Sequence, residues 1–201
     1  MYSPLIKIDK FNDTIENEGL VLTANSRQSN AINTAFALQQ DQDSAWVAPK
    51  IYSLEQWVQK MWGELQDQAY SNAMVSVVGQ FEDTYFWNRA ISSYEEEVQD
   101  RYATLAAGTL KLLKQQCATL GDIPESTPAT EKLGRWVSEY ETLLTRNNLI
   151  TKEQCIEIII DALNDGDLPL EQTIQTFGWQ AMPPLHHKLI NSATRKTIIE
   201  T

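Results

Sequence analysis

Cysteine and histidine are scarce in this 201-residue chain, which has two of each: Cys117 and Cys155, His186 and His187. Two cysteines cannot build a disulfide framework, and two adjacent histidines leave no zinc-ligand spacing, so the composition argues against a structural metal. Basic charge is also in short supply, with 16 Lys and Arg against 27 Asp and Glu and a net charge of −11. No third of the chain redresses it: residues 1–50 carry −2, 51–150 carry −6 and 151–201 carry −3. Phosphate neutralisation needs clustered Lys and Arg, so this segment alone is not expected to grip DNA. The loose run of Lys188, Arg195 and Lys196 reads as a solvated helix face. Long apolar runs are missing too. Nothing approaches the roughly 18 uncharged residues of a membrane span, and the N-terminus has no signal-peptide layout. A cytoplasmic protein without a membrane partner is expected.

What is present is enough to build a core. Hydrophobic residues make up 42% of the chain, including six Trp, seven Tyr and five Phe. The length suits one ordinary domain or two small ones.

The first apolar residues, Leu5, Ile6 and Ile8, lead into an acidic stretch and suggest an edge strand or a loose arm. Residues 19–23 form a continuous apolar run after Gly19, the pattern of a strand buried on both faces of a parallel sheet. A polar turn at Ala24-Asn25-Ser26 then feeds a helix over 27–40, with Ala31, Ala35 and Leu38 on one face. A second strand is expected at 46–48 or 50–52. Ser53 and Gln56 form a capping box that opens a helix with Leu54, Trp57, Val58, Met61, Trp62 and Leu65 in one stripe.

From 72 to 164 the periodicity is helical. One segment runs over 77–91, with Phe81, Tyr85, Phe86 and Trp87; another runs over 95–120, with Tyr102, Leu105, Leu112 and Leu113. The acidic triplet Glu95-Glu96-Glu97 suits a helix's first turn. After the break at 121–128, Thr127 and Pro128 open a helix over 129–146. Thr151 and Gln154 form another capping box, followed by Ile156, Ile159, Ile160 and Leu163. The β-branched stretch at 173–178 reads as a returning strand, and 185–193 as a closing helix. The expected fold is α/β and predominantly helical. It has a split lobe with a partial RecA-like (P-loop NTPase-like) parallel sheet at 1–70 and 166–201, and an all-helical insertion at 71–165.

The catalytic constellations are missing. Phosphate cradling needs glycines that let successive amides turn inward, a Lys for the β and γ phosphates and a Ser or Thr for magnesium. No glycine lies between Gly19 and Gly63, and no Gly-Lys pair occurs. Arg27 and Ser29 beside a helix start read as a surface arginine and ordinary capping. A PD-(D/E)XK nuclease needs a carboxylate two residues before a Lys, and no acid here has one. Asp161 after Ile158-Ile159-Ile160 mimics a magnesium-binding strand end but sits in a capped helical pattern. His186 and His187 read as solvent-facing helix residues, and both cysteines as inert thiols on apolar helix faces. The tryptophans at helical spacing read as core. No catalytic residue, cofactor or metal ligand is expected.

The order of elements resembles the first lobe of a superfamily 1 helicase, and the motifs look like degenerate versions of its own. Leu20-Val21-Leu22-Thr23-Ala24-Asn25-Ser26-Arg27 is similar to the phosphate-loop strand and turn, and residues 45–57 to the following strand and helix. Trp136-Val137-Ser138-Glu139-Tyr140, with Leu144 and residues 148–151, is similar to the helical insertion. Residues 176–185 stand where the magnesium-binding acid pair would be. This set resembles the N-terminus of the bacterial "probable DNA repair protein" group, relatives of AddB, RecC and RecB-family exonucleases. The resemblance implies a helicase-like front without ATPase motifs, and a longer protein with a PD-(D/E)XK exonuclease downstream. Thr23, Asn25, Ser26, Arg27 and Ser29 would mark a vestigial phosphate loop, and Phe177, Gly178 and Trp179 a vestigial acid pair. It further implies a scaffold or DNA-path role in DNA repair and recombination, with DNA met through the full-length protein and a helicase or nuclease subunit as partner. From another class, a helical protein–protein interaction module stands as the alternative.

Overall fold

A computed structural model of the chain describes residues 7–41, 45–95, 100–123, 127–195 and 197–199. The fold is mixed α/β and predominantly helical, with eight α-helices, a four-stranded parallel sheet and a two-stranded parallel sheet among the described residues. Two compact units emerge. One is drawn from 1–68, 159–182 and 187–201, the other from 69–158 and 183–186.

In the α/β unit, β1 (Leu20–Thr23) is buried at all four residues, as its uninterrupted apolar run requires. It pairs on one side with β2 (Ile51–Ser53), Val21 opposite Ile51, and on the other with β5 (Ile174–Phe177), Leu20 opposite Ile174 and Thr23 opposite Phe177. A last strand, β6 (Thr197–Ile199), adds to β5 and was not foreseen from sequence. The order is β2-β1-β5-β6, every pair parallel.

The expected N-terminal strand is not there. Leu5 and Ile6 lie outside the described residues; Ile8–Phe11 is a 3₁₀ turn, followed by α1 (Asn12–Glu16). Both edges of β1 are already paired, so this segment docks through side chains. Phe11 is fully buried in a cluster with Ile8, Val21, Ile32, Ala35 and Ile51. Gln175, buried in β5, accepts from the Thr14 hydroxyl at 2.6 Å and donates Nε2 to the Lys10 carbonyl at 2.9 Å. Gly19 lets α1 come this close, since a Cβ there would lie 2.8 Å from Thr14 Cγ2 and 3.0 Å from the Thr14 carbonyl oxygen.

Helix α2 (Ser26–Ala37) packs on β1 and β2 through Ser29, Ile32 and Ala35. Of the expected face, Ala35 is buried but Ala31 and Leu38 are exposed, and the branched Ile32 takes the core position. Strand β2 occupies the second of the two expected places, while Trp46 and Val47 are exposed. Helix α3 (Leu54–Asp67) has the capping box in full, with Ser53 Oγ accepting from the Gln56 amide and Gln56 Oε1 from the Ser53 amide. Leu54, Trp57, Met61, Trp62 and Leu65 are buried along it.

In the helical unit, a short strand, β3 (Ser76–Val77), pairs with β4 (Leu149–Ile150) where only helix was expected. Helices α4 (Gln80–Ser92), α5 (Asp100–Gln115) and α6 (Pro128–Arg146) pack around Phe86, Trp87, Ile91, Ala106, Leu110 and Tyr140. Trp87 and Tyr140 stack at 4.1 Å. Helix α5 is out of phase with its expected face: Ala103, Ala106 and Leu110 are buried, while Leu105 and Leu112 are exposed. Of the acidic triplet, Glu95 precedes the helix and pairs with Lys132 at 2.9 Å; Glu96 and Glu97 lie outside the described residues, as do 124–126 of the loop and Lys196. Thr127 caps α6 at its expected place.

Helix α7 (Lys152–Asp165) starts at the Thr151–Gln154 capping box and buries Cys155, Ile156, Ile159, Ile160 and Leu163. Asp161 is an exposed helix residue, not a strand end. Helix α8 (Pro184–Ala193) buries Leu185, Leu189 and Ile190. Three expectations about single residues are corrected. Cys117 lies beyond the end of α5 in a left-handed turn (φ 53°) and is exposed. His186 and His187 are half-buried rather than solvent-facing, because α8 turns that side toward its neighbours. The Nδ1 atom of His186 is buried without a hydrogen-bond partner.

Candidate functional site

In an open parallel sheet, ligands bind beyond the carboxyl ends of the strands where neighbouring connections leave in opposite directions. Here that point lies between β1 and β5. From β1 the chain passes through α2 to β2 on one side, and from β5 through α8 to β6 on the other. The fold brings both expected vestigial motifs to this crevice. Thr23 pairs in register with Phe177, and the Ala24 amide donates to the Phe177 carbonyl at 3.1 Å.

The groups that would meet a phosphate or magnesium are engaged within the protein. Thr23, fully buried, donates its hydroxyl to the Asn25 carbonyl at 2.9 Å. Asn25 is the N-cap of α2, and its Oδ1 accepts from the Gln28 amide at 3.1 Å. The Ser29 hydroxyl, also buried, donates to the Ser26 carbonyl at 3.1 Å and lies 3.3 Å from Gln56 Oε1. Ser26 and Arg27 are exposed. The turn is thus an ordinary side-chain cap, in which Asn25 takes the Gln28 amide, one of the orphan amides that a phosphate loop presents to its ligand.

On the β5 side, an aromatic ring stands at the first of the positions expected to mark an acid pair. Phe177 meets Phe11 edge-on at 5.5 Å, and the Lys10 ammonium sits 3.8 Å from its ring centre. Gly178 follows in a left-handed conformation, φ 89°. Across it lies Gln28: a Cβ built on Gly178 would collide with the Nε2, Oε1 and Cδ atoms of that side chain. Gln28 Oε1 is buried without a hydrogen-bond partner. Trp179 is half-buried beyond it. Gln28 therefore fills the place between the two motifs where a phosphate would have to approach backbone. Sequence reading passed over Gln28, since a glutamine in a helix's first turn carries no signal until its neighbour from β5 is known.

The marked pKa shifts lie away from this crevice. In the helical unit, burial, helped by the bond to Asp83, raises the Tyr140 hydroxyl pKa far above its usual value. Burial pushes the Cys155 thiol up to about 12. His186 is lowered by burial and then by the Lys111 charge. Among the described residues, no three His, Cys, Asp or Glu side chains gather as a metal site, and no helix is long and apolar enough to cross a membrane. Compared with known proteins, the chain matches no family model and no curated sequence.

Proposed function

We propose that this chain is a non-catalytic, helicase-like N-terminal module of a cytoplasmic DNA repair and recombination helicase–nuclease system, serving as scaffold or as wall of the DNA path. The observation that carries this reading is Gln28 lying against Gly178 at the switch point between β1 and β5. In this reading the switch point is a lost nucleotide site: the Gln28 side chain occupies it, and the Thr23 and Ser29 hydroxyls are turned to internal partners. ATP hydrolysis and exonuclease chemistry belong, in this reading, to other parts of the system. The resemblance of residues 20–27, 45–57 and 176–185 to degenerate helicase motifs supplies the biological context.

Two measurements test it together. Deleting the coding sequence in its host should sensitise cells to double-strand breaks, and the purified chain should show no magnesium-dependent ATP hydrolysis, with or without DNA. Unchanged break resistance overturns the repair role, and saturable turnover overturns the non-catalytic one.

A second reading, a helical protein–protein interaction module with no nucleic-acid role, is favoured by Phe81, 92% exposed, and by the exposed Tyr85, Leu105 and Leu112. Unchanged break resistance together with a stable protein partner cross-linked through α4 or α5 would select it.

A further inference from the structure

We draw no further inference here: the strongest candidate, the surface patch on α4 of the helical unit where Phe81 and Tyr85 stand exposed one turn apart, carries nothing because nothing in the structure shows what covers it.

Discussion

The amide end of the Gln28 side chain, from the first turn of α2, lies across the α-carbon of Gly178 just after β5, where a Cβ would meet it unless the side chain moved. The pair closes the crevice between the two central strands, and both members are needed. Gly178 combines a left-handed φ of 89° with the absence of a Cβ, while Gln28 supplies the volume.

Gly178→Ala should destabilise the chain by about 1–3 kcal/mol, from the positive φ and the collision together. Gln28→Ala relieves only the collision. In urea denaturation, the double variant should therefore lose less than the sum of the two single losses. Strict additivity would place Gln28 away from Gly178.

Gln175 is the polar residue that ties the N-terminal turn to the middle of the sheet. Replacing it with Leu orphans the Thr14 hydroxyl and removes the Nε2 donor to the Lys10 carbonyl, at a cost of about 1–3 kcal/mol. Protease cleavage near residues 8–16 should accelerate in parallel. A variant as stable as the parent would mean that the segment docks through Phe11 alone.

The two thiols should separate cleanly. Cys117 is exposed, and Cys155 is buried with its pKa pushed up to about 12. Near pH 8, a disulfide reagent should label Cys117 rapidly in the folded chain and reach Cys155 only on unfolding, because thiolate and access are both required. Two fast thiols would contradict the burial of α7 at Cys155.

His186 has its pKa lowered in the fold, by burial and then by Lys111. The unfolded chain therefore binds this proton more readily than the folded one. Its contribution to stability is fully present above the unfolded value of about 6.5 and is lost as the pH falls below it. His186→Gln should flatten the stability profile below about pH 6.5. An unchanged slope would locate the acid sensitivity elsewhere.

Local signals were legible in the sequence, and distant ones were not. The capping boxes at Ser53–Gln56 and Thr151–Gln154 and the start at Thr127-Pro128 are bonds between residues three apart, so the chain announces them directly. Strands β1 and β5 were readable because burial on both faces demands continuous or β-branched runs. Helix phase was not readable in α2 and α5. Small and branched apolar residues lie on more than one side of each, and only the neighbouring elements decide that Ile32 or Ala106 goes inward while Leu38 or Leu105 stays out. Strands β3 and β4 have two residues each and exist only through each other. The strand ends at Thr23 and Phe177 do meet, as two members of one parallel sheet were expected to. The side chain between them was not legible, because Gln28 acquires its place only from Gly178.

The most direct measurement is an amide-resolved NMR titration of the chain with ATP and magnesium. The closed crevice predicts no shift at Thr23 to Ser29 or at Phe177 to Trp179 up to millimolar nucleotide. Saturable shifts at Gln28 and Gly178 would show that the side chain yields to a phosphate, and would contradict the account.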